Sequence, residues 1–137
     1  MNILTSFSLA GRRALVTGGG GDLGLSMVEA LAEAGALVVA VDRTEQVTDR
    51  ISGIKGDKQS VTSLVADLRS RLEIKQALTR ATQALGGTPD ILVNSAGVQR
   101  RHASENFPEE DWDLVLDVNL GATFFMSQLA GRAMISN

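Results

Sequence analysis

The chain has 137 residues, of which 44% are hydrophobic, enough for one domain with its own core and too apolar for a disordered segment. A formal net charge of −3 without a block of Lys or Arg argues against a nucleic-acid partner and against an anionic membrane surface. With no cysteine, disulfides, thiolate metal sites and thiol catalysis are excluded, and a single histidine, His102, leaves little with which to build a zinc centre or a Ser-His-Asp triad.

Residues 1–9 lack the basic start and continuous apolar stretch of a secretory signal, and no apolar run is read as long enough to span a bilayer. A cytoplasmic protein with no membrane partner is the expectation. After a short lead-in, residues 13–17 read as a buried strand, and four consecutive glycines, Gly18 to Gly21, follow it directly. A helix then carries Leu23, Met27, Leu31 and Ala34 at three- and four-residue spacing toward a core, and Gly35 ends it. Residues 37–41 form a second apolar strand closed by Asp42, which completes a βαβ unit.

Residues 44–54 read as a weakly periodic helix fraying into a loop over 53–60, and residues 61–66 as a third strand ending at Asp67. Ser70 and Glu73 form a capping box, each side chain suited to one free N–H. The helix it opens turns Ile74, Ala77, Leu78, Ala81 and Leu85 to one face and stops at Gly86 and Gly87. Residues 91–93 form a fourth strand running into Asn94, Ser95, Ala96 and Gly97. A polar loop over 98–107 leads to a last helical region from Pro108, with Trp112, Val115, Leu116, Leu120, Thr123 and Phe124 as its buried stripe. Regular alternation of strand and helix predicts an α/β, doubly wound parallel sheet of the Rossmann type, with ligands at the C-terminal ends of the strands. Gly24, Asp42, Asp67 and Asn94 all fall near such ends.

Glycines before a helix let the backbone come close to a ligand, and the helix N-terminus offers unpaired N–H groups to a phosphate. Gly19, Gly21 and Gly24 fit the G-x-G-x-x-G spacing after a strand and before a helix. Thr17, Gly18 and Gly24 fit a second pattern, T-G-x-x-x-G-x-G, whose middle glycine is Asp22 here. Asp22 is placed to cap the helix or to repel a pyrophosphate, and is expected to point aside. Asp42 lies about 20 residues beyond the glycines, where a carboxylate accepts ribose hydroxyls. That favours NAD over NADP, because a 2′-phosphate would meet like charge, although Arg43 is a counterweight. Asp67 is a candidate for the adenine amino group, against a plain turn carboxylate. Asn119, on the last helix's stripe, is either a structural amide beside a bend at Gly121 or a relay post for solvent or protons. Arg100 and Arg101 are candidates for a substrate carboxylate, with a solvated loop as the alternative, and His102 reads as an exposed loop histidine.

Together these residues resemble the short-chain dehydrogenase/reductase family: Thr17-Gly18 with Gly24, Asp67-Leu68, Asn94-Ser95-Ala96-Gly97, and Asn119. With the residue reading above, which supplies Asp42 and Arg43 and leaves no metal site, the resemblance gives cofactor contacts from Gly18, Gly21, Asp22, Leu23, Gly24, Asp42, Arg43, Asp67, Leu68, Asn94, Ala96 and Gly97, and a catalytic role for Asn119. It departs from the family at Asp22 and at Ser95, where the motif has a glycine and a second asparagine. Within the family, residues 7–11, 98–101, 110–113 and 124–128 are similar to members that oxidise a secondary alcohol of a sugar acid such as 2-deoxy-D-gluconate. Members acting on gluconate, or on a 3-oxoacyl carrier protein, are near alternatives.

By the same resemblance, a serine and a Tyr-x-x-x-Lys pair follow Asn119 and do the chemistry. This chain has no tyrosine, and its three lysines, Lys55, Lys58 and Lys75, all precede Asn119. Residues 1–137 are therefore expected to be the dinucleotide-binding part of such an enzyme without its C-terminal half, inactive alone, with strand order 3-2-1-4. A catalytically silent dinucleotide-binding module is the other reading. The resemblance also implies a homotetramer or homodimer for a full-length relative, assembled through the helix containing Asn119.

Overall fold

Four short runs of aliphatic and β-branched residues form one parallel sheet. In the computed structural model, which describes residues 3–54 and 58–137, the strands are β1 (Arg13–Thr17), β2 (Leu37–Asp42), β3 (Val61–Val65) and β4 (Ile91–Asn94). Their order is β3-β2-β1-β4, with every pair parallel, as the alternating pattern requires. Successive residues serve opposite faces. Ala14, Val16, Val38 and Ala40 join Val28, Val47 and Ile51 in one core, while Leu15, Val39 and Val41 join Ile74, Ala81 and Met126 in the other. Two covered faces explain why β1 and β2 read as continuous apolar runs. The side chains of Leu15 and Met126 have no exposed area, each contributing roughly 1.5–3 kcal/mol.

The helices are α1 (Ile3–Ser6), α2 (Asp22–Glu33), α3 (Gln46–Ser52), α4 (Arg71–Ala84), α5 (Glu109–Leu116) and α6 (Thr123–Ile135), with a π-helical segment at Asp117–Ala122 joining the last two. α2 and α3 cover one face of the sheet, α4 and α6 the other. α4 buries Ile74, Ala77, Ala81 and Leu85, as its spacing predicts. Its opposite face is charged or polar, so the period is unambiguous. Ser70 caps it by accepting from the Glu73 N–H at 3.3 Å. The Glu73 carboxylate reaches further back than a capping box and accepts from the Asp67 N–H at 2.7 Å, which fixes the end of β3.

Two helix faces are rotated from the sequence expectation. In α2, Leu23 and Met27 point outward and Gly24 and Val28 are buried. In the last helix, Trp112, Leu116, Leu120 and Phe124 are exposed, whereas Val118, Ala122, Met126 and Ala130 pack inward. Asp22, Ser26, Glu29 and Glu33 mark a polar side of α2, but the apolar side opposite is broad, and Leu23 and Met27 lie at its edge while Gly24 and Val28 meet the sheet. Close approach to the sheet selects small residues instead.

The continuous helix Glu109–Ile135 is, by length and composition only, long and apolar enough to cross a membrane, so the expectation of no such run does not hold. Here it opens with three acids, Glu109, Glu110 and Asp111, and packs α6 against α4 and β4. α3 is shorter than the expected 44–54, part of the loop expected after it (55–57) lies outside the described residues, and a 3₁₀ turn, Lys58–Ser60, leads into β3. β4 lies at an edge of the sheet and stays half-buried along its length.

Candidate functional site

A groove of about 280 Å³ opens at the C-terminal ends of the strands, between the glycine turn and the loop after β4. Gly18, Gly20 and Gly21 form part of its wall, facing Ser95, Ala96, Gly97 and Val98. Sterics dictate the glycine turn. Gly18 has φ +66°, and a Cβ there would lie 2.7 Å from the Ala96 backbone. A Cβ on Gly24 would run into the Gly18 carbonyl, so the first turn of α2 is seated directly on the turn below it. Gly24 thus supports the cradle from beneath and does not face the groove.

Gly21 is the N-cap of α2 and offers no side-chain cap, which leaves the first helical N–H groups open to an anion. Gly20 donates its N–H to Asp42 Oδ2 at 2.9 Å, and Arg43 N–H donates to Oδ1 at 2.7 Å. Two backbone donors therefore hold the Asp42 carboxylate at the end of β2, on the wall of the groove, with acceptor capacity left over. Arg43 and Leu68 also line the groove, the latter nearly buried.

Asp67 lines the groove too, but its carboxylate is already engaged. Arg69 Nη2 and Nε donate to Oδ2 at 2.6 and 2.9 Å, and the Arg69 N–H donates to Oδ1 at 3.1 Å. The Arg69 hydrogen bonds outweigh partial burial and hold the Asp67 carboxyl below its ordinary value. In the sequence, the only signal of Arg69 is its position two residues after the aspartate.

Besides Gly24, three more of the cofactor candidates fall outside the groove. Asp22 projects into solvent and pairs with Arg50 Nη2 at 2.7 Å. The Leu23 side chain is exposed. Asn94 Nδ2 donates to Ser127 Oγ at 2.9 Å and ties β4 to α6, so its side chain serves the fold where a groove contact was expected.

The opposite wall is held by hydrogen bonds. The Ala96 N–H donates to Thr17 Oγ1 at 3.3 Å, and the Ser95 N–H to the Thr17 carbonyl at 3.2 Å. Asn119, in the π-helical segment, accepts from the Val98 N–H at 2.8 Å and donates to the Val98 carbonyl at 2.9 Å. Its amide imitates a strand neighbour and fixes the chain leaving Gly97. The bend expected near Gly121 is this π segment, a feature frequent at functional sites. Asn119 remains exposed, so its pairing is a matter of geometry and burial does not compel it.

Arg100 and Arg101 do not line the groove. Arg100 Nε donates to Asp111 Oδ1 at 3.0 Å, and His102 Nε2 lies 2.7 Å from Asp111 Oδ2. His102, with Arg100 second, holds the Asp111 carboxyl below its ordinary value. The Gln99 side-chain oxygen, turned toward Arg101, accepts from its Nε and Nη2 at 3.1 Å. Phe107 packs edge-on against the His102 ring, which gives the loop a small aromatic anchor.

The pattern of residues 12–137 matches the family model for short chain dehydrogenases. The chain belongs to the short-chain dehydrogenase family. Curated proteins similar to it carry the names of sugar-acid dehydrogenases. It is 41% identical over 134 residues to the 2-dehydro-3-deoxy-D-gluconate 5-dehydrogenase of Escherichia coli (strain K12), covering 98% of this chain and 52% of that protein. The enzyme of the same name from Bacillus subtilis (strain 168) is 38% identical, covering 95% of this chain and 50% of that protein. Among solved structures, a short chain dehydrogenase from Burkholderia cenocepacia J2315 in complex with NADP superposes with a TM-score of 0.84 at 33% identity, covering 92% of this chain and 52% of that one. The chain spans about half the length of the curated relatives it matches.

Proposed function

We propose that residues 1–137 form the dinucleotide-binding part of an NAD-linked dehydrogenase that oxidises a secondary alcohol of a sugar acid. One observation carries the reading: an uncapped helix N-terminus, glycines open to the groove, and a backbone-held carboxylate at the end of β2 all meet in one groove. Gly18, Gly20 and Gly21 leave room for a pyrophosphate beside the N–H groups of α2, and Asp42 suits ribose hydroxyls. Bound there, the dinucleotide supplies the hydride acceptor for alcohol oxidation. Asp42 favours NAD, since a 2′-phosphate would meet its charge. Arg43 and the NADP held by the Burkholderia relative weigh on the other side.

Similarity to the two gluconate-type relatives supports a sugar-acid substrate. Of the two loop arginines, Arg101 is the better candidate for a substrate carboxylate, because Arg100 is already paired with Asp111. Asn119 positions the Val98 backbone and is the chain's candidate for an active-site role. The exposed face of Trp112, Leu116, Leu120 and Phe124 supports assembly through this helix.

These residues include no tyrosine, so a Tyr-based acid/base cannot come from them. That favours a second reading, a binding module that is silent by itself. Titrating the protein with NADH and NADPH, and assaying NAD reduction with 2-deoxy-D-gluconate, separates the possibilities. Saturable binding with NADH preferred and no turnover by this chain is the expected result. Failure to bind either dinucleotide overturns the cofactor assignment, and turnover overturns the silence of the isolated chain.

A further inference from the structure

Asp22 is the residue that the glycine motif leaves unaccounted for. It brings a carboxylate to the first turn of α2, immediately after the groove-lining Gly21 and against the end of the helix best suited to an anion. Its partner lies far away in sequence. Arg50, in the last turn of α3, donates Nη2 to Asp22 Oδ1 at 2.7 Å. α3 is seated by Val47 and Ile51, both buried, and Val47 also lines the groove, so Arg50 reaches the Asp22 carboxylate from a fixed base. The Asp22 side chain is 91% exposed and the pair contributes little to folding, as exposed ion pairs do. Stability does not account for it.

Resting on the dinucleotide reading above, we propose that Arg50 is a positioning residue for cofactor binding. It holds and neutralises the Asp22 carboxylate outside the groove, so the N-terminus of α2 keeps its positive end for the pyrophosphate. Without Arg50, a free carboxylate on the first helical residue competes with the phosphates for the same N–H groups and repels them across a few ångströms. The ion pair compensates in this chain for the aspartate that stands at the motif's glycine position.

A double-mutant cycle on NADH affinity tests this. Arg50→Met keeps the aliphatic stem and removes the charge; it is expected to weaken NADH binding about fivefold, the scale of one unscreened charge a few ångströms from a phosphate. Asp22→Asn is expected to bind NADH at least as tightly as the wild type. The double variant is expected to regain that affinity, and Arg50→Lys to retain most of it. Apo-protein melting temperatures should agree within about 2 °C across the series, since only an exposed pair is lost. An unchanged NADH Kd in Arg50→Met overturns the inference while leaving the cofactor reading intact. So does a double variant as weak as Arg50→Met, which would make the effect of Arg50 independent of Asp22, and so does weakening by Asp22→Asn alone. Absence of NADH binding by the wild type overturns the cofactor reading itself, and the inference with it.

Discussion

The two walls of the groove are built by different physics. The glycine wall is steric: Gly18 lies against the Ala96 backbone, and Gly24 against the Gly18 carbonyl, with no room for a single carbon. The facing wall, residues 95–98, is held by polar contacts from Thr17 below and Asn119 beside it. Steric walls resist displacement and fail abruptly when filled, whereas hydrogen-bonded walls loosen by degrees because water can replace a lost partner. The phosphate of the proposed dinucleotide would be best served by the first kind, since its N–H donors must be aimed before it arrives.

The largest effect is expected on the steric wall. Gly24→Ala forces the Gly18 carbonyl aside and should destabilise the protein by about 3 kcal/mol or more, beyond ordinary overpacking because backbone must move. Urea unfolding measures this, and a variant as stable as the wild type would show that the turn is pliable.

Next comes Asn119→Ala. It removes both hydrogen bonds to Val98 and should cost about 1–2 kcal/mol, while Val98 amide exchange quickens and the glycine wall keeps its protection. Equal loosening of both walls would collapse the distinction between them.

Smaller again is the contribution of Asp67. Arg69 holds its folded-state carboxyl below the unfolded value, so this stabilisation is complete above the unfolded value of about 3.9 and is lost as pH falls through the folded one. Comparing urea stability of wild type and Arg69→Ala from pH 7 downward should give a small gap that closes under acid. A gap that widens on acidification would reverse the sign.

Least affected should be Arg101→Ala, which removes the hydrogen bonds to Gln99 at a residue that does not line the groove. It should leave folding and NADH affinity unchanged within error. A loss of dinucleotide affinity there would extend the cofactor site into the loop.

Much of this was legible beforehand. The four strands, the α4 face and the glycine turn follow from local patterns: apolar runs between turns, a helix with one charged side, glycines where a strand meets a helix; the strand order came through the family resemblance alone. Family membership was equally legible, because Thr17, Gly18, Gly24, Asp67 and Asn119 carry their spacing in the chain itself. The faces of α2 and of the last helix were not, because each has a broad apolar side, and Leu23 and Met27 in α2 and Leu116, Leu120 and Phe124 in the last helix sit at its edge and not against the sheet. Their orientation depends on which side is small enough to approach the sheet.

Pairings between distant residues were out of reach for the same reason. Arg50 with Asp22, Asn94 with Ser127 and Asn119 with Val98 join positions that no local rule connects. The sequence by itself determined the sheet, the cradle and the family, since each rests on short-range backbone geometry and on burial patterns within single elements. Only the tertiary structure decided which charges face the groove, because hydrogen-bond reach depends on where helices from separate parts of the chain come to rest.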